Sequence, residues 1–413
     1  MTPFAISVSF FLQLAVVLLA CRIVAWLARR VGQPPVVGEM LAGVALGPSL
    51  FGLLAPVWQA QLFPPQTRAV LFCGAQLGLV CYMFVVGLEF RIDLVRARLR
   101  SALAVSASGI LVPFLFGCLI AFWLLAHGGL FQPGVSAAQA APYLGAAMAI
   151  TAFPMLARII VERGLSGTNV GTLALAAGAL DDAAAWCVLA LVLASFAGDP
   201  SIALFAIGGS LALIAVVLTV GRRLLRTISN YAEQGAEADH AMFGCTLVLL
   251  MLAAWFTDTI GIYAVFGAFL LGSAVPRGPF SERLRAKIEP MTVQLLLPLF
   301  FVYSGLNTRL DLINDPGLWL IALVILAAAV LGKAGACYLA ARACGETHRE
   351  AIGIGSLMNA RGLMELIILN IGLERGLITP ALFSIMVIMA AATTLMATPM
   401  FNRFYGHPVP GKV

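Results

Sequence analysis

Apolar residues run along this chain in long stretches, parted by short connections that collect glycine, proline and charge. Amphipathic surface helices show a polar face every few residues. These stretches do not, and continuous apolar runs of such length read as membrane-spanning helices. Thirteen can be placed, near 5–29, 35–52, 68–90, 100–126, 142–162, 168–196, 200–221, 240–257, 259–276, 284–306, 316–341, 350–372 and 378–402. The pattern predicts an all-α polytopic membrane protein of about 13 transmembrane helices. No basic residue precedes the first run, which is too long for a signal-peptide core, so it reads as the first span. The longest polar connection, from Thr227 to Asp239 with Glu233 and Glu237, reads as a simple inner loop. With so little chain after the last span, a single transmembrane domain without a soluble regulatory domain is expected.

Composition agrees with this reading: hydrophobic residues make up 61% of the 413 and charged residues 11%. A soluble protein of this length carries far more charge. The formal net charge of +6 could point to nucleic acid, but the basic residues sort by membrane side. With the N-terminus outside, inner connections hold 18 of the 25 Lys and Arg, outer ones hold Arg68, Arg309 and Arg375, and four fall within spans. That bias predicts the N-terminus outside and the C-terminus in the cytoplasm, and it gives no reason to expect nucleic acid. The eight cysteines lie in or beside spans without a CxxC, and His127, His240, His348 and His407 have no ligand spacing to one another. Neither set supports a resident metal, a disulfide framework or a cofactor.

Against this background two adjacent aspartates stand out. In the stretch from Thr168 to Phe196, Asp182 is the fifteenth of 29 residues, which places it near the bilayer midplane. An ionised carboxylate there costs roughly 2.5–3.5 kcal/mol on insertion scales. Beside Asp181 it also meets a like charge, so one of the two must hold a proton, bind a cation or find a fixed positive partner. Intramembrane acids mark ion and proton paths, and the bland alternative is a helix lining a polar cavity.

Segments recur seven spans apart. Val37-Gly-Glu-Met-Leu-Ala-Gly43 is echoed by Phe266-Gly-Ala-Phe-Leu-Leu-Gly272, and Gly87-Leu-Glu-Phe-Arg-Ile-Asp-Leu94 by Gly305-Leu-Asn-Thr-Arg-Leu-Asp-Leu312. Glu162-Arg-Gly-Leu165 returns as Glu374-Arg-Gly-Leu377. An odd offset turns the second copy upside down, the inverted repeat of alternating-access transporters. Helix-breaking sequences occupy corresponding places: Thr151-Ala-Phe-Pro154, with a proline inside an apolar run, and Met358-Asn-Ala-Arg-Gly362. Pro154 alone could be an ordinary kink. The pairing predicts two interrupted helices that cross beside the aspartates, where freed carbonyls and Thr151 could coordinate a cation.

Lys333 lies deep in an apolar run, and a carboxylate of the Asp181/Asp182 pair is the obvious partner; the alternative is a lysine snorkelling to the inner interface. Arg361 and Glu365, four residues apart, can pair with each other, so a structural role and an ion-binding role are both open. Glu39, in a glycine-rich short span, and Asp258, beside an outer loop, are weaker candidates.

These residues resemble a known family. Gly38-Glu-Met-Leu-Ala-Gly-Val-Ala-Leu-Gly-Pro48, Ile150-Thr-Ala-Phe-Pro154, Asp181-Asp182 and Met358-Asn-Ala-Arg-Gly-Leu-Met-Glu-Leu366 are similar, in order and over almost the whole chain, to the monovalent cation:proton antiporter-2 family. That family includes sodium/proton and potassium efflux antiporters. The resemblance implies two inverted six-helix repeats, near 5–196 and 240–402, joined by a linker helix near 200–221. It also implies a core of spans 4–6 and 11–13, a panel of spans 1–3 and 8–10, and a homodimer in the cell's inner membrane. Asp182 matches the family's cation- and proton-carrying carboxylate, Asp181 its variable neighbour, and Lys333 the lysine that pairs with it in electrogenic members. Thr151 and Asn359 match the two crossing points. The chain departs from the potassium efflux branch in lacking its nucleotide-binding domain and in having Asp181 where that branch has glutamine, which puts glutathione gating in doubt.

The expected function is a secondary antiporter that exchanges a monovalent cation, Na⁺ ahead of K⁺ or Li⁺, for protons by competition at the aspartate pair, electrogenically. Two rivals from other classes are a cation channel or uniporter and a sodium-coupled organic-solute symporter on a similar fold. An enzyme lacks support, because no nucleophile–base pairing or metal-ligand spacing occurs.

Overall fold

The fold comes from a computed structural model that describes residues 2–33, 35–90, 99–127, 129–165, 167–197, 201–261, 263–306, 315–361 and 363–406. Helices dominate, and among the described residues the only β-type pairing is an isolated bridge between Phe131 and Ile378. In chain order the principal helices are α1 (Pro3–Arg30), α2 (Pro35–Leu46), α3 (Pro65–Glu89), α4 (Leu99–His127), α5 (Ala137–Ala149), α6 (Phe153–Glu162) and α7 (Asn169–Ala197). Next come α8 (Ser201–Val216, running through a π turn at Val217–Gly221 into Arg222–Ala232), α9 (Ala236–Thr259) and α10 (Ala264–Ala274). Then α11 runs from Pro279–Met291 through a π turn at Thr292–Leu296 into Leu297–Gly305. The last four are α12 (Pro316–Ala343), α13 (His348–Met358), α14 (Leu363–Glu374) and α15 (Pro380–Phe404). Seven helical segments among the described residues are long and apolar enough to cross a membrane. The chain is an integral membrane protein.

Local chemistry explains where the helices begin. Thr2 accepts from the Ala5 N–H ahead of Pro3, and Asp315 from the Gly317 N–H ahead of Pro316. Thr379 does the same for Leu382 ahead of Pro380. In each case a side-chain oxygen takes one of the orphan N–H groups, and proline fills the position that has no N–H to lose. Thr347 and Glu350 close a reciprocal capping box on α13.

The chain divides into two compact units. One comprises Met1–Thr67, Asp93–Val192 and Phe301–Val413; the other comprises Arg68–Ile92 and Leu193–Phe300. Within the first, α4 packs along α5 and the C-terminal part of α12, and α15 packs on α12 and α13. In α4, Leu111, Leu115 and Leu119 are exposed while Val105, Gly109, Pro113, Gly117 and Ala121 are buried. Small residues therefore turn inward and large apolar ones outward, the arrangement expected where lipid is the solvent. A Cβ on Gly305 would lie 2.1 Å from the carbonyl carbon of Gly43, so only glycine permits that backbone approach. In the second unit, α9 packs on α10 and on the C-terminal part of α8.

The loop expected from Thr227 to Asp239 is largely helix instead: α8 runs to Ala232 and α9 starts at Ala236. Leu225, Ile228, Ser229 and Ala232 are buried along one face of that extension. An amphipathic turn of this kind escapes a search for continuous hydropathy, because half of it is polar. Residues 91–94 and 307–312 of the second repeated motif lie outside the described residues, as does Gly362.

Candidate functional site

Both predicted interruptions are present, and they touch. Helix α5 ends at Ala149, Ile150 is extended, and α6 starts at Phe153. Pro154 is therefore in the first turn of α6, beyond the break, and not inside a continuous helix as the apolar run suggested. A proline tolerates that place because the first-turn N–H groups have no helical acceptor. The second interruption follows Met358, the last residue of α13, and α14 starts at Leu363. The Ala152 N–H donates to the Ala360 carbonyl at 3.4 Å, so the two breaks are joined through their backbones. Helix α15 supports the second break. The Thr394 hydroxyl accepts from the Arg361 N–H at 3.0 Å, and the Asn359 amide donates to the Thr393 carbonyl at 3.4 Å.

Asp181 and Asp182 lie near the middle of the 29-residue α7, both fully buried. Oδ2 of Asp181 accepts from the Thr151 hydroxyl at 2.7 Å and from Lys333 Nζ at 2.9 Å. Lys333 also donates to the carbonyls of Gly109 and Ala149, each at 2.7 Å. An ammonium has three N–H donors, and these contacts use all of them. One side chain thus staples α12 to α4, α5 and α7. The Ala149 carbonyl belongs to the C-terminal end of α5, where the helix dipole adds negative potential for a cation. Lys333 is fully buried, which removes the snorkelling alternative. It rides on a π turn, Leu331–Gly335, of the kind frequent at functional sites.

On the aspartate pair and Asn359, one buried oxygen each has no hydrogen-bond donor among the described residues: Oδ1 of Asp181, Oδ1 of Asp182 and Oδ1 of Asn359. Carboxylate and amide oxygens are the ligands a hard cation prefers. Arg361 and Glu365 are also fully buried, with Nη1 and Oε2 separated by 3.8 Å, beyond hydrogen-bonding distance. Of the weaker candidates, Glu39 is buried in α2, and Asp258 accepts from the Ala264 N–H at 2.7 Å, which makes it a cap of α10.

Several participants had no sequence signal. Gly109 and Ala149 act through backbone carbonyls, which no residue type announces. A Cβ on Gly109 would come within 2.8 Å of Cys337 Sγ and 3.5 Å of Asp181 Oδ2, so glycine holds open the space beside the ion pair. Tyr143 donates from its buried hydroxyl to the Ile368 carbonyl at 3.0 Å and ties α5 to α14.

The family model described as sodium/hydrogen exchanger, transmembrane, matches residues 15–404. The chain belongs to that family. It is 39% identical over 399 residues to the Na⁺/H⁺ antiporter NhaS4 of Synechocystis, covering 96% of this chain and 97% of that one. It is 36% identical to Cation/H⁺ antiporter 17 of Arabidopsis thaliana, covering 97% of this chain but 48% of the plant protein, so it spans about half of that relative's length. Among solved structures, the sodium proton antiporter MjNhaP1 of Methanocaldococcus jannaschii superposes with a TM-score of 0.63 at 16% identity, covering 96% of this chain and 98% of that one. At that identity the likeness establishes the fold. The relatives are transporters and not enzymes.

Proposed function

We propose that this chain exchanges a monovalent cation, Na⁺ in preference to K⁺ or Li⁺, for protons, with Asp181 and Asp182 as the cation- and proton-binding pair. Cation/proton antiport follows from family membership. The observation that carries the finer reading is the buried aspartate pair beside two joined helix interruptions. One carboxylate there is held by Lys333 and Thr151, and the other has a free oxygen. A carboxylate in this surrounding is tolerable when it carries a proton or a cation and costly when it carries neither. Asp182 therefore exchanges one for the other, with Asn359 and Thr151 as further oxygen ligands. Competition for one site couples the two fluxes without both being bound together.

The reading extends to thirteen crossings, with each interrupted pair counted once, and to inverted repeats near 5–196 and 240–402 with a linker near 200–221. It extends also to a homodimer in the inner membrane with the N-terminus outside and the C-terminus in the cytoplasm. The basic residues gathered on one set of connections support that orientation. Alternating access would expose the aspartates to each side in turn. Lys333 supports electrogenic exchange, since an Asp181 released from it becomes a second acceptor for protons or cations. Purified protein in liposomes, with an imposed pH gradient challenged by Na⁺, K⁺ and Li⁺ in turn, tests the reading. Dissipation on adding a cation is expected, fastest with Na⁺; a gradient that survives all three cations overturns it.

A further inference from the structure

Two helix corners meet at one rim of the first unit, where α1 and α6 end. Helix α1 stops in a Schellman turn: Gly32 is left-handed, at φ 76°, its N–H donates to the Arg29 carbonyl, and the Gln33 N–H donates to the Ala28 carbonyl. The turn leaves the Gly32 carbonyl and the Gln33 side chain for partners outside the helix. Helix α6 stops in the same way at Gly164, with Arg163 as its cap. Arg163 donates to the Gly32 carbonyl at 2.8 Å and to Asn402 Oδ1 of α15 at 3.3 Å. The Val36 N–H, in the first turn of α2, reaches Glu162 at 3.5 Å. Gln33 donates to the Leu395 carbonyl of α15 at 3.1 Å. That carbonyl is available because the residue four positions on is Pro399, which has no N–H to give it.

Both helices tied to the corner lead to the ion site. Helix α6 begins two residues past Thr151, and its 10 residues, about 15 Å of helix, reach the tie. Leu395 follows Thr394, whose hydroxyl accepts from the Arg361 N–H at the second break. On the division implied by the family resemblance, α1 and α2 belong to the panel, and α6 and α15 to the core. Within the panel, α2 packs backbone to backbone: a Cβ on Gly38 would lie 2.5 Å from Ala25 Cα, and Gly43 lies against Phe301 of α11. Toward α6 and α15 the corner is held by side chains, beside a cavity of about 360 Å³ whose lining includes Gly32, Gln33, Glu162 and Arg163. Hydrogen bonds of this kind exchange for bonds to water at small net cost, whereas close-packed backbone does not yield.

We propose that the corner at Gly32 and Gln33 is the inner gate of the exchange path. Seated on Arg163 and Leu395, as here, it closes the route from the expected cytoplasmic side to Asp181 and Asp182, which are 0% and 2% exposed. Release of Gly32 and Gln33 lets the core part from the panel at that rim and opens the site inward. Gln33 and Arg163 are positioning residues: they set how the two states are populated without touching the cation. The inference rests on the antiporter reading.

The bond between Gln33 and Leu395 can be removed from either end, and the sidedness of transport reads the result. Gln33→Ala deletes the donor, and Pro399→Ala gives the Leu395 carbonyl a helical N–H in its place. Proton exchange driven by NaCl is measured with the full chain in everted membrane vesicles, which present the cytoplasmic face, and in right-side-out vesicles. A more populated inward-open state lowers the apparent dissociation constant at the inner face in proportion. Each variant is expected to lower the half-saturating Na⁺ concentration there about two- to tenfold, the range of one neutral hydrogen bond, and to leave or raise the outer-face value. The double variant is expected to stay within about twofold of either single one, because both remove the same bond. Equal shifts at both faces, a raised inner-face value, or effects that multiply in the double variant overturn the proposal. Pro399→Ala carries the test by itself if Gln33→Ala fails to reach the membrane. A wild type without cation-dependent exchange at either face removes the antiporter reading and this inference together. Wild-type exchange that both variants leave unchanged removes only the inference.

Discussion

Ala152 and Ala360 share a backbone hydrogen bond at the point where two helices stop and restart. The bond brings Thr151, which donates to Asp181, onto the same crossing as Asn359, whose amide oxygen has no donor among the described residues. Unwound backbone is tolerated at membrane depth where protein buries it or where it lines a cavity. Here the surrounding helices supply the missing backbone partners, Thr394 for the Arg361 N–H and Lys333 for the Ala149 carbonyl, and the Thr393 carbonyl accepts from the Asn359 side-chain amide. The site is a set of helix ends held open by side chains from the helices around it.

Asp182→Asn keeps the size of the side chain and removes its titration. Cation-dependent dissipation of a pH gradient in liposomes is expected to fall to the level of protein-free vesicles. Wild-type rates in this variant would rule out competition at a single carboxylate.

Thr151→Ala removes the hydroxyl that donates to Asp181 and leaves that oxygen to Lys333 alone. Loss of such a bond to a charged group costs about 1.5–3 kcal/mol. The half-saturating cation concentration should change by about tenfold or more. Thr151→Ser, which retains the hydroxyl, should stay near wild type in the same titration.

Two glycines separate packing from propensity. Gly305→Ala drives a Cβ to 2.1 Å from the backbone of Gly43, where no flexible side chain can yield. A loss of about 1–3 kcal/mol is expected, read as a lower melting temperature in detergent. Gly244, in α9, has open space around its missing Cβ, so Gly244→Ala should be neutral or stabilising by up to about 1 kcal/mol.

An imposed membrane potential should drive exchange in liposomes without a pH gradient if Asp181 leaves Lys333 during the cycle. Indifference to voltage in the wild type would mean a permanent Asp181–Lys333 bond and one-for-one exchange at Asp182.

The apolar periodicity, the charge bias of the connections and the isolated acids were legible in the chain because a bilayer punishes violations so heavily. A residue such as Asp182 or Lys333 cannot hide in an apolar run, and its partner can be sought among the few opposite charges at similar depth. The paired breaks were legible too, because proline and a polar cluster interrupt otherwise uniform helices. The amphipathic extension of α8 was not, since its pattern resembles a loop when hydropathy is averaged.

What the chain determined by itself is therefore its solvent, its helical class and the residues that must carry charge. Tertiary structure decided which aspartate Lys333 takes: Asp181 and Asp182 are adjacent and chemically identical, and only the packing of α4, α5 and α12 around α7 tells them apart. It also decided that Pro154 starts a helix, that carbonyls of Gly109 and Ala149 complete the lysine site, and that Glu365 is left with oxygens to spare. Backbone groups and relative rotations of helices carry these choices, and neither is written in the identity of any single residue.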